Sequence, residues 1–363
     1  MSRVRARALT LILLCLAAVG VGIGVARWQS DDPPATVPPT AADSGPTGNG
    51  PDEARYTLTE VSLPGGAEGR ITASAALGED LVLVGTSEGS VYYVDPARPG
   101  TAKLMTTTFG AVRRIRVSAD GGTAAVLSQE GALRVMNLSR STPTDLDIVP
   151  TEGPGGLSPH GDLLVFGSFD LTVLDVVSGR TSTLPAKPIP DGGRTAYEDW
   201  AVTGDGLVRA AGVDGVETWD PADPDRAGET IGCGCDARSV TFTGDGSLAT
   251  FGTADGHVVV VDLATGRVIA DKTIAVGDFT LIWTVAAFAD GRRAAGGISS
   301  RAVIWDVGAR RTVWDHTFPG YRVAEVGAVP NSKALLIRTV EEDASAEAGD
   351  PADDKVWIAT PAL

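Results

Sequence analysis

The chain has 363 residues, which is long enough for two average domains or for one large repetitive domain. Its 46 acidic and 30 basic residues give a formal net charge of −16, a field that repels nucleic acid and anionic lipid surfaces and favours protein, small-molecule or cationic partners. The 45 glycines and 22 prolines fit many short strands separated by turns and do not fit a helical protein.

The N-terminal segment has the pattern of a membrane anchor. A basic region at residues 1–7 precedes an uncharged apolar run at residues 8–26. As a helix rising about 1.5 Å per residue, that run can cross the hydrocarbon core of a bilayer. The arginines before it predict a single-pass protein of the cell membrane, with a cytoplasmic N-terminus and the remainder outside. The alternative is a signal peptide cleaved near Ala26, which would give a secreted protein.

A polar linker is predicted over residues 27–54. It contains six prolines and almost no apolar side chains, so it cannot bury enough surface to fold. Such a segment is typical of a semi-extended stalk, which would lift residues 55–363 away from the membrane.

One pattern recurs through residues 55–363, and the third strand of each repeat is its clearest marker. The marker segments are residues 90–95, 132–137, 171–175, 216–220, 257–262, 302–306 and 355–360. The Asp or Asn that closes each of the first six recurs after 38 to 45 residues, which is the period of a four-stranded propeller blade. Asp-Gly turns follow most inner strands, as expected of hairpins. The sequence therefore predicts an all-β fold, a seven-bladed β-propeller, after the N-terminal transmembrane helix.

The last repeat lacks an outer strand, because the chain ends just after its third strand. Residues 56–63, YTLTEVSL, alternate in the manner of a strand and precede the first repeat. We expect them to pair as the fourth strand of the last blade, which would remove both open edges of the ring.

The repeats resemble those of the WD-repeat (WD40) family. Trp219-Asp220 and Trp305-Asp306 are the dipeptide that gives the family its name. The acidic residue that the family carries before the third strand is matched, fully or nearly, by Glu88, Glu130, Asp170, Asp214 and Asp255. None of the repeats begins with the Gly-His dipeptide that opens a WD40 repeat. The resemblance thus implies a propeller of degenerate repeats without the family's buried His-Asp-Ser-Trp hydrogen-bond network.

Residue types that carry catalysis or bind metals occur without the spacing that such chemistry needs. Ser87 lies in a G-x-S-x-G sequence, but a strand follows it where a nucleophile elbow requires a helix. The three histidines fall in different repeats, and no calcium-loop sequence is present. We therefore predict no catalytic residue, no metal site and no cofactor, and we expect the protein not to be an enzyme.

Cys233 and Cys235 form a candidate disulfide in the loop between the fourth and fifth blades. Both thiols would be open to oxidation outside the cytoplasm, while Cys15 lies in the apolar N-terminal run. A small structural clasp is the favoured interpretation; a redox or metal role and two free thiols are the alternatives.

One face of the ring is expected to be acidic. The turns between second and third strands lie on one face, and the insertion at 341–354 adds seven acidic residues to it. The residues of this candidate docking face are Glu88, Glu130, Asp170, Asp214, Asp255, Glu341, Glu342 and Asp343. Acidic turns also keep a large β-protein soluble, so solubility is the simpler interpretation. The functional hypothesis is that the face docks a basic segment of a protein partner.

The sequence leaves two functional classes open, a binding scaffold and an enzyme. The first is a membrane-anchored, extracytoplasmic propeller that acts as a protein-interaction or ligand-binding scaffold. The second is an extracytoplasmic propeller enzyme, lactonase-like or quinone-dependent, with its site in the central channel; residues 261–269 resemble a repeat of the quinone-dependent class. A channel lined by Ser, Thr, Ala and Gly would favour the scaffold, and convergent His, Asp and Glu around an ion would favour the enzyme.

Overall fold

Alternating apolar and polar residues form 27 strands in the part of the chain that the computed structural model describes. This part comprises residues 56–63, 67–78, 80–98, 101–108, 110–138, 154–167, 170–185, 199–212, 215–224, 229–231, 235–243, 246–274, 281–342 and 354–362. The predicted basic region, membrane helix and linker all lie outside it. Within it, no helix is long and apolar enough to span a membrane.

The strands form seven antiparallel sheets, and each sheet is one blade. The first described strand is β1 (Tyr56–Val61). Blade 1 contains β2 (Ile71–Ala76), β3 (Val82–Thr86), β4 (Ser90–Val94) and β5 (Lys103–Thr107). Blade 2 contains β6 (Val112–Val117), β7 (Thr123–Ser128) and β8 (Leu133–Asn137), with residues 139–153 outside the described part. Blade 3 contains β9 (Pro154–Leu157), β10 (Leu163–Phe166), β11 (Leu171–Asp175) and β12 (Thr181–Leu184).

The remaining blades follow in chain order. Blade 4 contains β13 (Asp199–Val202), β14 (Val208–Gly212), β15 (Gly215–Trp219) and β16 (Glu229–Ile231). Blade 5 contains β17 (Ala237–Phe242), β18 (Leu248–Thr253), β19 (His257–Asp262) and β20 (Arg267–Thr273). Blade 6 contains β21 (Thr284–Ala287), β22 (Arg293–Ile298), β23 (Arg301–Asp306) and β24 (Arg311–Thr317). Blade 7 contains β25 (Tyr321–Ala328), β26 (Leu335–Glu341), β27 (Lys355–Pro361) and β1.

The ring closes through β1, as the sequence predicts. β1 pairs with β27 in antiparallel register from Tyr56 opposite Pro361 to Val61 opposite Val356. Val61 is buried in the cluster between blades 7 and 1. The outer strand of the last blade therefore comes from the start of the propeller, which removes an open sheet edge from the blade where the chain ends.

The core lies between the blades. Seven clusters of buried apolar side chains occupy the seven junctions between neighbouring blades. Between blades 1 and 2, for example, Leu83 and Ile115 are both almost fully buried. Burying such a side chain stabilises the fold by about 1.5–3 kcal/mol, so each junction is a hydrophobic layer of its own. The resulting propeller is the predicted fold class.

Asp and Gly residues form the turns that the repeat pattern predicts. After β6, Asp120 accepts hydrogen bonds from the Ser118 hydroxyl at 2.7 Å and from the Gly122 amide at 2.8 Å. Gly121 between them has φ 72°, a left-handed conformation that favours glycine. The Asp that closes each third strand has a similar role, since Asp175 accepts from the Ser178 amide at 2.8 Å. These recurring acids therefore hold turns in shape.

Candidate binding site at the upper mouth of the channel

The side of the ring that carries the turns between second and third strands is here called the upper face. Backbone hydrogen bonds link these turns to the residues that precede the inner strands. The Gln129 amide donates to the Ala111 carbonyl at 2.7 Å, and the Ile282 amide donates to the Thr253 carbonyl at 3.1 Å. The inner strands therefore begin on the upper face, and the turns after them lie on the lower face.

Most of the predicted acidic residues lie where the turn pattern places them. The Glu88, Glu130 and Asp255 side chains are exposed in the turns of blades 1, 2 and 5. Asp170 is half-buried, and Glu341 and Glu342 are exposed at the end of β26. Asp214 and Asp343 lie outside the described residues. Among the described residues, carboxylates from five blades thus occupy the upper face, either just before the third strands or at the end of β26.

A central cavity of about 970 Å³ runs between the inner strands. Small and apolar side chains form much of its wall, with Ala75 on blade 1, Ala201 on blade 4 and Ala286 on blade 6. Thr241 and Gly327 extend the same lining on blades 5 and 7. This part of the wall has the composition that we expect of a scaffold.

Blade 2 interrupts the lining with arginines, which the sequence interpretation missed. Its inner strand β6 has the sequence VRRIRV, and its pairing with β7 shifts register between Val112 and Arg114. The Arg113 side chain is exposed, while Arg114 and Arg116 are half-buried. All three line the central cavity. The signal in the sequence is a six-residue strand that carries three arginines and no acidic residue.

The carboxylate of Glu325 on β25 forms ion pairs with two arginines of the cavity. Arg116 Nη1 lies 2.8 Å from Glu325 Oε1, and Arg338 Nε lies 3.6 Å from Glu325 Oε2. Arg338 is the register partner of Glu325 on β26, and its Nη1 contacts Asp354 Oδ2 at 2.9 Å. Burial raises the pKa of Glu325, but the Arg116, Arg338 and Arg114 guanidinium groups outweigh burial and hold that pKa below its ordinary value.

The charge of the cavity is opposite to that of the whole chain. Its described lining residues include Arg113, Arg114, Arg116 and Arg338 but only one carboxylate, Glu325. Asp354, which pairs with Arg338, lies beside Arg113 in a smaller depression next to the mouth of the channel. Even with Asp354 included, these side chains carry an excess of positive charge. An acidic upper face therefore surrounds a basic channel mouth.

An exposed tryptophan lies on the far side of the ring from the arginines. Trp283 immediately precedes β21 of blade 6, lines the cavity, and is 54% exposed. The buried Trp200 of blade 4 also lines the cavity, but its Nε1 donates to the Val165 carbonyl at 3.0 Å and so joins two blades. Trp283 thus differs from the structural tryptophans in presenting a large apolar surface to solvent.

Side-chain hydrogen bonds hold the turn before the third strand of blade 5. The Thr253 hydroxyl donates to the Asp255 carboxylate and accepts from the His257 amide at 2.9 Å. This pairing fixes the turn before β19. Trp305 in blade 6 is buried, and its Nε1 has no partner among the described residues. The acidic position of the family therefore has a turn-holding role here without the opening Gly-His dipeptide.

Ser87 and two of the histidines, residue types that can carry catalysis or bind metals, make contacts that support the fold. Ser87 Oγ accepts a hydrogen bond from the Arg70 amide at 3.2 Å, within the turn after β3. His257 Nδ1 lies 2.7 Å from Asp271 Oδ1, and the His316 ring stacks on Trp314 with centroids 5.6 Å apart. Within the described part of the chain, no group of three or more His, Cys, Asp or Glu residues is arranged to hold a metal.

Cys235 is disulfide-bonded. Its predicted partner Cys233 lies outside the described residues, so the pairing of these two residues stays a prediction.

Solved structures match the chain over most of its length. The WD40 repeats of RRP9 match with a TM-score of 0.65 and 14% sequence identity, over 84% of this chain and 97% of that one. U3-55K matches with a TM-score of 0.64 and 14% identity, over 84% and 98% of the two chains. The β-propeller domain of Cps50 (Swd1) from Myceliophteria thermophila gives 0.60 and 14%, over 75% and 94%. No protein-family model and no curated protein matches. The chain has the fold of WD40-type β-propellers.

Proposed function

We propose that the chain is a membrane-anchored, extracytoplasmic propeller scaffold that docks a protein partner on its upper face. The observation that carries this proposal is the set of exposed carboxylates, Glu88, Glu130 and Asp255, on separate blades of that face. The likeness to WD40 propellers and the many alanine and valine side chains of the channel wall support a binding module over the alternative propeller enzyme.

The partner we propose is a protein with a basic segment. Exposed carboxylates on separate blades create a negative potential over the upper face, which attracts a cationic chain over about a Debye length of 8–10 Å. The net charge of −16 acts in the same direction and disfavours nucleic acid. Each exposed ion pair adds little affinity alone, so the expected effect is mainly on the rate of association.

The test compares two triple variants of the full-length protein. One variant neutralises the upper face (Glu88→Gln, Glu130→Gln, Asp255→Asn). The other removes three exposed carboxylates from outer strands and the lower face (Glu60→Gln, Asp223→Asn, Asp271→Asn). With a capped peptide of alternating Lys and Gly at low salt, we expect the first variant to associate about tenfold more slowly and the second to match the unmodified protein. Equal rates for all three proteins would reject docking at this face.

Membrane anchoring rests on residues 8–26 and has its own test. We expect the full-length protein to remain in membranes after alkaline extraction and the propeller to be digested by protease added outside intact cells. Recovery of a soluble protein whose N-terminus begins near residue 27 would instead support the cleaved, secreted form.

A further inference from the structure

We propose that the lower rim of blades 5 to 7 rests on an anionic phospholipid bilayer and turns the upper face away from it. This surface, here called the basic arc, consists of the lower turns at residues 262–269, 288–293, 306–311 and 329–333. The proposal rests on the membrane anchoring proposed above but does not require docking at the upper face.

The chain enters the propeller on the lower face, next to the basic arc. Third strands follow the turns of the upper face, so they end on the lower face. Tyr56 at the start of β1 is opposite Pro361 at the end of β27, which places Tyr56 at the lower end of blade 7. Its hydroxyl donates to the carbonyl of Lys333, in the lower turn after β25, at 3.3 Å. The predicted linker therefore joins the propeller on this side.

Cations exceed carboxylates in the basic arc. Among the described residues its cations are Arg267, Arg292, Arg293, Arg310, Arg311 and Lys333. Its carboxylates are Asp262, Asp290 and Asp306, each of which accepts a hydrogen bond from a turn amide. Arg310 and Arg311 are exposed and form no ion pair with a described residue. The described lower turns of blades 3 and 4 have the opposite balance, with five aspartates and one exposed arginine.

Arg310 occupies a turn position at which two other blades have glycine. The residue four positions after the aspartate that closes the third strand is Gly179 in blade 3 and Gly266 in blade 5, with φ 69° and 66°. In blade 6 that residue is Arg310, with φ 53°. A left-handed backbone is unfavourable for a residue with a Cβ, and such strain is concentrated where a side chain has a function. Blade 6 thus places a second exposed cation beside Arg311 at the expense of stability.

Two apolar side chains are exposed beside these cations. Val268 and Ile269 follow Arg267 at the lower end of β20 and are 48% and 37% exposed. The register between β19 and β20 skips Ile269, which marks a β-bulge at this point. Exposed cations next to exposed apolar side chains match a bilayer interface, because lipid phosphates bind the guanidinium groups and the acyl boundary takes the apolar groups.

The net charge of −16 does not prevent this contact, because charges are screened over a Debye length of about 8–10 Å. The lipid therefore interacts mainly with the side of the propeller that faces it, and the acidic upper face is on the opposite side. A linker of the predicted length allows separation from the bilayer but limits it to roughly 30 Å. Within that distance a weak surface suffices, since each Lys or Arg strengthens attachment to anionic lipid about fivefold.

The experiment uses the full-length protein reconstituted into phosphatidylcholine vesicles with or without phosphatidylglycerol, with a nitroxide quencher near the lipid headgroup. A fluorescent amino acid replaces Val268 at the lower end of β20 or Thr273, which is exposed at the upper end of the same strand. Five residues of strand separate the two probes by about 16 Å. In anionic vesicles we expect about threefold stronger quenching at position 268 than at 273, and without phosphatidylglycerol we expect equal, weak quenching.

Two triple variants separate the basic arc from charge in general. One neutralises the arc (Arg267→Gln, Arg310→Gln, Arg311→Gln), and the other removes the same charge from exposed arginines elsewhere (Arg98→Gln, Arg180→Gln, Arg322→Gln). We expect the first to reduce quenching at position 268 to the level at 273 and the second to leave it unchanged. Arg310→Gly should weaken quenching at 268 without lowering the thermal midpoint, because glycine accepts the left-handed backbone. Lost contact is thereby distinguished from lost folding.

Flotation of the vesicles distinguishes this proposal from anchoring. If the protein does not float with phosphatidylcholine vesicles, it is not anchored, and the contact with lipid is refuted as well. If it floats but the two probes are quenched equally in anionic vesicles, or if the two triple variants behave alike, the contact is refuted and anchoring stands. Stronger quenching at position 273 than at 268 would mean that the upper face lies toward the bilayer and would also overturn the proposal.

Discussion

The guanidinium of Arg116 donates a 2.8 Å hydrogen bond to the carboxylate of Glu325, which lies 209 residues further along the chain. Arg116 belongs to blade 2 and Glu325 to blade 7, so blade 1 lies between them in the ring. The bond therefore links two blades that are not neighbours.

We expect Glu325→Gln to destabilise the propeller by about 1–3 kcal/mol. The change leaves Arg116 and Arg338 beside a neutral group, and uncompensated charges that are partly removed from water are costly. The matched control is Glu341→Gln, because the Glu341 side chain is exposed on the adjacent strand β26. This change should alter the free energy of unfolding by less than about 0.5 kcal/mol. Urea unfolding of the two variants checks this prediction. Equal free energies of unfolding for the two variants would mean that the ion pairs of Glu325 contribute nothing to stability.

Two glycines of inner strands differ in the space around them. A Cβ at Gly156 in blade 3 would lie 2.4 Å from the Ala201 Cα of blade 4, whereas a Cβ at Gly327 in blade 7 would meet nothing within 4 Å. Gly156→Ala should therefore push two blades apart and cost about 1–3 kcal/mol. Gly327→Ala should be neutral or stabilise by up to about 1 kcal/mol, because it restricts the unfolded chain. Denaturant midpoints measure both, and the opposite order would show that the blade 3–4 junction has another packing.

Because β1 closes the ring, we expect substitutions of one small side chain on this strand, Val61, to lower the stability of the propeller. Val61 is buried against blades 7 and 1, so Val61→Ala should cost about 1–2 kcal/mol and Val61→Asp considerably more. Glu60 is exposed on the same strand, and Glu60→Gln should have no measurable effect. Removing residues 55–64 should lower the thermal midpoint more than any of these. If the deletion left thermal stability unchanged, β1 would not close the ring.

The turn aspartates predict how stability changes with acidity. Backbone hydrogen bonds from Ser178 and Thr265 hold the pKa of Asp175 and Asp262 below the ordinary value of 3.8, and a side-chain hydrogen bond from Arg98 does the same for Asp95. A carboxyl whose pKa is lower in the folded state contributes stability that is present above 3.8 and is lost as the pH falls through the folded pKa. Asp175→Asn should therefore weaken the fall in urea midpoint below about pH 5. An unchanged pH profile in that variant would exclude this contribution.

The cysteine pairing can be checked directly. We expect peptide mapping of unreduced protein to find Cys233 joined to Cys235 within one proteolytic fragment. A bond from Cys235 to Cys15, or to a second chain, would contradict the predicted clasp.

The sequence predicts the ring well because each blade repeats local signals. The third-strand marker at residues 171–175 coincides with β11, and the marker at 257–262 coincides with β19. Closure by residues 56–63 was also predictable, since a count of strands leaves the last blade one short. These inferences need only the alternation of apolar and polar residues, the length of the repeat and the turn residues. All of these are local features of the chain.

The basic channel mouth could not be predicted in the same way. Arg113 and Arg114 have the appearance of polar residues on a half-buried strand, and Glu325 is far from them in sequence. Their convergence depends on the rotation of each blade about the channel and on the register shift in β6, which the alternation of side chains does not encode. Trp283 was missed for a related reason, because nothing in its neighbourhood shows that it faces a cavity.

Site-specific crosslinking in intact cells tests whether this propeller binds a protein partner on its upper face. A photoreactive residue replaces Glu130 or Asp255 on the upper face in one pair of variants, and exposed Arg180 or Arg267 on the lower face in the other. We predict that a discrete protein adduct forms from the upper-face positions and disappears when the acidic residues of that face are neutralised. Adducts formed equally from both faces, or only from the lower face, would show that the partner does not dock specifically on the upper face.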